Sequence, residues 1–574
     1  MRRLWIYLRK YRRECVLAPL FKMLEASFEL MIPLVMTRLI DLGIGRGDSG
    51  LIVRCVLVMI ALGLIGLVSA VTAQWFSARA ATGVAVSVRS ALFRQLERLS
   101  YQNIDTLGVS TMITRMTSDV NQMQTGVNMT LRLFLRSPFV VFGAMVMAFT
   151  IDARSALIFV AVIVALSIVV FGLMALNIPM MKDVQRALEG VLGATRESLT
   201  GARVIRAFGR EDAEYQAFLK KNQALVDRQK KAGRVSGLMN PVTYLLINFA
   251  TAYLIWTGAL QVRGGILTAG QVVALYNYMG QILVELIKLA NLIVTMNKAL
   301  ASWNRIDDVL KLEPAMADDA KSVPALNPEI AVRFAHVSLQ YADAGGESIT
   351  DVDFTARKGQ VVGVIGGTGS GKTTLANLIP RFYDATAGSV YVDGADVRQW
   401  PQHALRQRVG FVMQKAELFS GTIRDNLQWG DHNASDETLW EAIDAAQARD
   451  VVEGKGGLDG VIEQEGRNLS GGQRQRLTIA RALVRRPEIL ILDDSASALD
   501  QATDKRLREA IRALSYRPTT FIISQRAASV RQADFIIVLD DGQVAGLGAH
   551  DALLRDCPVY REIYESQFGG EVSA

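Results

Sequence analysis

Four uncharged apolar runs, Cys55 to Ala78, Ser155 to Met181, Val235 to Val262 and Gly264 to Val284, constrain this chain more than any other feature. Each is near or above the roughly 20 residues that a bilayer-spanning helix needs. With 574 residues, half of them apolar, the chain is too long for one domain and too apolar to be wholly soluble. Two weaker stretches extend the pattern. Ser137 to Ile151 is shorter and bounded by Arg136 and Asp152, and Val16 to Leu39 is interrupted by Lys22, Glu25, Glu29 and Arg38. The resulting expectation is a membrane α-helical bundle of six spans, near 16–39, 55–78, 133–151, 155–179, 238–261 and 268–297, within a domain of residues 1–310.

Charge sets the orientation. The two long connections carry seven Lys and Arg between Arg79 and Arg136 and twelve between Lys182 and Arg234, whereas the short ones carry Arg46, Arg54, Arg154 and Arg263. Positive-inside then makes the long loops, and both termini, cytoplasmic in a multi-pass cell-membrane protein. The net charge of +7 follows mostly from this asymmetry and is read as membrane-surface attraction, with membrane lipid as a partner and no nucleic acid. The first thirteen residues, from Met1 to Arg13, mix bases with aromatics and read as an interfacial helix on the inner leaflet, with an acid-free organellar targeting stretch as the alternative, although it is short and runs straight into a span. Cys15, Cys55 and Cys557 are too scattered for a disulfide framework or metal cluster, and His336, His403, His432 and His550 are isolated.

Past the last span, Glu313 to Ala320 breaks the apolar periodicity and marks a linker over 311–327. From residue 328 to 574 short β-type runs alternate with helical patterns, which predicts an α/β nucleotide domain with a parallel sheet. Within it, the strand Val361 to Ile365 feeds Gly366-Gly367-Thr368-Gly369-Ser370-Gly371-Lys372-Thr373, a G-x-x-x-x-G-K-S/T turn followed by a helix carrying Thr374. Such a turn points backbone N–H groups at phosphate oxygens, its Lys reaches the outer phosphates, and Thr373 offers a hydroxyl to Mg2+. Asp493, ending the apolar strand Ile489 to Leu492, is suited to hold the metal through water. ATP and Mg2+ are the expected cofactors.

Leu469-Ser470-Gly471-Gly472-Gln473 supplies a second anion site at a helix start, although one P-loop already surrounds the phosphates. With these motifs the chain resembles the ATP-binding cassette family, in particular exporters with six spans fused ahead of one nucleotide domain. The resemblance covers nearly the whole chain. It implies a dimer that sandwiches two ATP molecules head to tail, with Ser470, Gly472 and Gln473 of one chain contacting the γ-phosphate held by the other. It also implies that Tyr341 stacks on adenine, that Gln414 links metal and attacking water to the membrane part, and that Asp500 crosses the dimer. Leu99 to Val120 and Gly201 to Phe218 resemble the cytoplasmic extensions that dock on the nucleotide domains.

Two positions depart from the family pattern. Asp494 stands where the general base is a Glu, and Gln525 stands where the switch residue is a His. The shorter carboxylate withdraws from the attacking water, and Gln525 can donate a hydrogen bond but carries no positive charge. Two losses at one site with an intact signature resemble the degenerate member of a heterodimeric multidrug-type exporter, whose partner carries Glu and His. A slow homodimer and a mainly regulatory nucleotide-binding subunit are the alternatives.

Acids inside a membrane are candidates for function. Glu25 and Glu29 lie four apart on one helix face, and Glu285 precedes Lys288 by three. They are candidate contacts for a small-molecule substrate, or else simple pairs, Glu285 with Lys288 and Glu25 with Lys22. An amphipathic or lipophilic export substrate is expected from the resemblance, with lipid, peptide or siderophore as alternatives.

Overall fold

The computed structural model describes residues 2–316, 320, 322–327, 329–342, 344–495 and 497–568. Four residues of the expected linker (317–319 and 321), residue 328 at its boundary, and the terminal residues 1 and 569–574 lie outside the described residues. The chain forms two compact units, Met1–Glu97 with Ser110–Leu312, and Arg98–Val109 with Glu313–Ala574.

The first unit is entirely helical. Five of its helices are long and apolar enough to cross a membrane: Ser49–Leu96, Val109–Ile151, Ala153–Thr200, Glu211–Arg263 and Ala269–Lys311. Arg12–Arg38 is helical too, but Lys22, Glu25 and Glu29 leave it too charged to meet that description. The stretch expected over 133–151 meets its helix at Arg136, after a turn at Phe134 and Leu135. A 48-residue helix such as Ser49–Leu96 is about 72 Å long, more than twice the ~30 Å hydrocarbon thickness, so it continues well past any bilayer. Side-chain caps fix the starts. Asp48 accepts from Leu51 N–H, Asp152 accepts from Ser155 N–H at 2.8 Å, and Thr268 forms a reciprocal box with Gln271.

The helices pair closely where side chains are small. Ala73, Ala80, Ala81 and Ala85 of Ser49–Leu96 are at most 1 % exposed, as are Ala144 and Ala148 of Arg136–Ile151. At Gly126 an added Cβ would lie 2.1 Å from the Ala299 methyl, so the helices Val120–Leu133 and Ala269–Lys311 meet backbone to methyl. Lipid offers no hydrophobic drive between helices, and close approach of small residues supplies dispersion contact instead.

The second unit is an α/β domain. Its strands are β1 Ile330–Leu339, β2 Ile349–Arg357, β3 Val361–Gly366, β4 Ala387–Val392, β5 Ala395–Asp396, β6 Val409–Val412, β7 Gly421–Thr422, β8 Val461–Ile462, β9 Ile489–Asp493, β10 Thr519–Ser524, β11 Phe535–Asp540 and β12 Gln543–Gly548. The main sheet runs β12-β11-β3-β10-β9-β6 and is parallel from β11 to β6. Its central strands are buried along their whole length, β9 and β10 without one exposed residue, as a sheet covered on both faces requires. A smaller antiparallel sheet, β2-β1-β4-β5, packs through Phe334 and Phe354 against the main sheet at Phe521.

Arg98–Val109 belongs to this unit, although it falls within the expected membrane domain of residues 1–310. Ser100 caps the short helix Tyr101–Leu107, the Tyr101 ring stacks on Phe382 at 4.5 Å, and the Tyr383 hydroxyl donates to Asp105. One ring stack and one hydrogen bond hold the segment to the nucleotide-domain surface. The other extension, with the helix Ala202–Ala207, remains with the helical unit and exposes Val204 and Phe208, the latter by 76 %.

Candidate functional site

Five neighbouring parallel strands end at the same edge of the main sheet, and the loops that follow four of them converge. In the register Ile523 pairs with Asp493 and Ser524 with Ile365, so the ends of β3, β10 and β9 are level. The turn after β3 brings Gly366 to Lys372, the loop after β6 brings Gln414, the end of β9 brings Asp493 and Asp494, and the loop after β10 brings Gln525. Thr368, Gly369, Gly371, Lys372, Thr373, Thr374, Gln414, Asp493, Asp494 and Gln525 all line one cleft of about 220 Å³. The carboxyl edge of a parallel sheet is where such folds bind ligands.

Glycine is demanded at both ends of the turn. A Cβ on Gly366 would lie 2.2 Å from the Leu539 carbonyl oxygen, and Gly371 has φ 91° with the Ser348 carbonyl 2.6 Å from where its Cβ would be. The chain then enters the helix Lys372–Leu378. Lys372 is 9 % exposed, and its ammonium donates to the carbonyls of Gly366 (2.9 Å) and Gly367 and to Ser370 Oγ (3.3 Å). Burial pulls its pKa below the ordinary lysine value, while Asp494 and Asp493 oppose that shift. A cation held by carbonyls beside a glycine turn is an anion receptor whose donors change partner when phosphate arrives.

Beneath it, the Thr373 hydroxyl donates to Asp493 Oδ1 at 3.2 Å. Asp493 is 2 % exposed, and burial raises its pKa, Thr373 acting against this and Asp494 with it. Asp494 has a left-handed backbone at φ 45°, a region that Asp and Asn tolerate best, fixed by its N–H to the Ile523 carbonyl at 2.9 Å. Burial raises the Asp494 pKa as well, while Arg526, Lys372 and a hydrogen bond with the Gln414 side chain lower it. Gln414 and Asp494 line the same cleft.

Gln525 is exposed at the rim, and its loop is held by Gln567 of the C-terminal helix Pro558–Phe568. That contact had no signal in the sequence. Tyr341 lies outside the residues that line the cleft, with its hydroxyl 3.2 Å from Thr374 Oγ1 and its ring edge-on to Tyr383 at 5.0 Å.

Leu469 to Gln473 does not reach this cleft. Leu469 is buried, and exposed Ser470 caps the helix Gly471–Val484, accepting from Gln473 N–H at 3.3 Å while its own N–H donates to Gln473 Oε1 at 2.9 Å. A Cβ on Gly472 would sit 2.9 Å from the Ala498 carbonyl, so the signature packs on the segment leading to Asp500. Asp500 itself caps the helix Gln501–Arg512 through Thr503, with N–H and hydroxyl both at 2.8 Å, and these bonds lower its pKa. Between the signature and the loop Gln414–Ser420 lies a larger cleft of about 600 Å³.

In the helical unit, Glu25, Glu29 and Glu285 come together around one cation that sequence reasoning took only as the edge of a span. Arg136, 6 % exposed, pairs with Glu29 at 2.7 Å, with Glu285, and at 3.9 Å with Glu25. Ser137 Oγ and Lys288 Nζ both donate to Glu285 at 2.8 Å, and Lys22 pairs with Glu25. Both short-range pairs expected from the sequence exist, but they are arms of a network that joins three helices. Beside it lies a polar cavity of about 460 Å³ lined by Glu29, Asn248, Asn277, Gln281, Glu285 and Lys288, among others.

Comparison with known proteins is consistent along the chain. Residues 15–286 match the family described as the ABC transporter transmembrane region, and residues 349–497 match that described as ABC transporter. An uncharacterized ABC transporter ATP-binding protein of Mycobacterium tuberculosis (strain ATCC 25618 / H37Rv) is 35 % identical over 98 % of this chain and 97 % of the relative. An ATP-dependent lipid A-core flippase of Photorhabdus laumondii is 28 % identical over 99 % of this chain and 98 % of its own. A solved bacterial Atm1-family ABC exporter with ATP bound superposes with a TM-score of 0.80 at 25 % identity, covering 97 % of this chain and 98 % of that one. The chain belongs to the ABC transporter family, as an exporter in which the membrane region and the ATP-hydrolysing domain are fused in one polypeptide.

Proposed function

We propose that this chain drives export of an amphipathic or lipophilic substrate across a bacterial cytoplasmic membrane as one half of a heterodimer. In this reading six spans place the nucleotide domain and both termini in the cytoplasm. The chain's own site hydrolyses ATP slowly, and its signature completes the partner's site. One observation carries the proposal. Asp494 and Gln525 share the P-loop cleft, while Ser470 and Gly472, with an intact helix start, stand outside it.

In the proposed site, Gly366 to Thr374 hold the ATP phosphates, Tyr341 meets adenine, and Lys372 moves from the Gly366 and Gly367 carbonyls to phosphate oxygen. The hard oxygen donors Thr373 and Asp493, already hydrogen-bonded to each other, suit Mg2+, with Gln414 close by through Asp494. Bound Mg2+ would neutralise phosphate charge. Hydrolysis requires a carboxylate to take a proton as water oxygen bonds the γ-phosphorus and the bridging P–O bond breaks. Asp494 is short for that task. Gln525 offers a neutral donor where a cation is missing. Exposed Val204 and Phe208 give the partner a docking element, and Glu29 and Glu285, joined to Glu25 through Arg136, line a polar cavity suited to sensing a substrate.

Affinity purification of the tagged chain from its native host tests the pairing. A second half-transporter carrying Glu and His at the positions of Asp494 and Gln525 is expected in equal amount. A stable homodimer with vigorous transport overturns the proposal. Lipid export is the second reading, favoured by the flippases among the relatives.

A further inference from the structure

Beneath the N-terminal helix Arg2–Arg9 lies an apolar cavity of about 240 Å³. Its walls include Leu4 and Leu8 of that helix, Val127 and Thr130 of Val120–Leu133, and Leu300 and Trp303 of Ala269–Lys311. Three helices therefore meet around a space that they do not fill. An open apolar groove of this kind lacks packing partners along its lining, so an apolar chain laid there supplies dispersion contacts that the protein alone lacks. Trp303 is 1 % exposed, and its indole N–H has no acceptor among the described residues.

The surroundings specify the occupant. Leu4 and Leu8 line the cavity, while Trp5 and Ile6 of the same helix are 69 % and 64 % exposed, so the helix is apolar on two sides. A helix apolar toward both the protein and its outside, in a multi-pass membrane protein, fits the interfacial depth of a leaflet. At its end and just beyond come Arg9, Lys10, Arg12 and Arg13, all exposed and none in an ion pair among the described residues. Four adjacent free cations at that depth attract anionic headgroups.

We propose that this cavity receives one acyl chain of an anionic phospholipid, with the headgroup phosphate held by the basic run Arg9 to Arg13. The bound chain packs on Leu4, Leu8 and Leu300, over the buried Trp303, and ties Arg2–Arg9 to the end of Ala269–Lys311. The inference rests on the membrane location of the chain and is independent of the heterodimer reading.

Brominated lipid chains quench tryptophan at close range, which makes Trp303, at the floor of the cavity, the reporter. The full chain, with any half-transporter that co-purifies, is reconstituted into phosphatidylcholine vesicles containing brominated phosphatidylglycerol or brominated phosphatidylcholine. The difference between the unmodified chain and Trp303→Phe isolates one of the seven tryptophans. Expected is strong quenching of that component by brominated phosphatidylglycerol, at least threefold weaker quenching by brominated phosphatidylcholine, and none in Thr130→Phe, which fills the cavity. An unquenched Trp303, equal quenching by the two lipids, or quenching that survives Thr130→Phe overturns the proposal. Should Thr130→Phe not fold, Arg9→Gln with Arg12→Gln, both at exposed positions, abolishes the preference for phosphatidylglycerol. A preference that survives that pair overturns it equally.

Discussion

Gln567 brackets the loop that carries Gln525: its Nε2 donates to the Gln525 carbonyl at 2.8 Å and its Oε1 accepts from Ala527 N–H at 2.8 Å. One side-chain amide at the end of the chain thus sets the backbone of the loop after β10. Each such bond contributes about 1 kcal/mol net. Gln567→Ala is therefore expected to speed hydrogen exchange at Ala527 by about tenfold while leaving the melting temperature nearly unchanged. Unaltered protection at Ala527 would show that the loop holds its shape without the C-terminal helix.

The nucleotide cleft was largely legible because its residues are dictated locally. A glycine-rich turn after a strand, acids at a strand end and a capped helix start each need only a few neighbouring residues. Arg136 was not legible. Its sequence context marks it as the edge of a span, and only packing of three helices separated by more than a hundred residues reveals it as the hub for Glu25, Glu29 and Glu285. The Gln567 clamp and the docking of Tyr101 on Phe382 escaped for the same reason, since a lone Gln or Tyr has no period or spacing to betray it.

The Arg136 hub should be costly to break and cheap to neutralise. Arg136→Leu leaves Glu285, 3 % exposed, with only Lys288 and Ser137, and removal of one partner from a buried pair costs on the order of 3 kcal/mol. Adding Glu285→Gln to that variant is expected to recover more than half of the loss. Thermal unfolding of the four-member cycle in lipid nanodiscs measures the coupling, and additive effects would contradict the network.

Asp494 should make the domain less stable at neutral pH than a neutral residue would. Burial holds its folded pKa above the ordinary 3.8, so the folded state binds the proton more tightly than the unfolded one. The cost of its charge is fully present above the folded pKa and disappears as pH falls through that value toward 3.8. Asp494→Asn keeps a residue suited to φ 45° and removes the charge. A higher melting temperature at about pH 7 is expected, with the gain shrinking under acid conditions. A gain that stays constant with pH would place its origin elsewhere.

Signature and P-loop substitutions should separate. Ser470 lies outside its own chain's cleft, so Ser470→Arg is expected to lower the ATPase rate of the assembled pair by more than tenfold, through the partner's site. Under the proposed division of labour Lys372→Ala touches only the slower site and is expected to leave at least about half of the rate. Steady-state phosphate release measures both, and equal losses would contradict the division of labour.

The departures at Asp494 and Gln525 give the most direct test, because the rest of the P-loop site is intact. Asp494→Glu extends the carboxylate by one methylene toward the cleft, and Gln525→His returns a side chain that can carry a proton. Two structural facts limit the gain. The left-handed backbone at φ 45° suits Asp better than Glu, at a cost of up to about 1 kcal/mol, and the longer carboxylate must share the cleft with Gln414. The double variant is therefore expected to raise single-turnover hydrolysis at this site by about tenfold, short of the hundredfold that a 1 Å correction of a catalytic group can bring. The measurement uses a pair whose partner base has been replaced, so that only this site turns over. Rapid hydrolysis by the unmodified chain in that background would make Asp494 a competent base despite its length, and the asymmetric reading would fall with it.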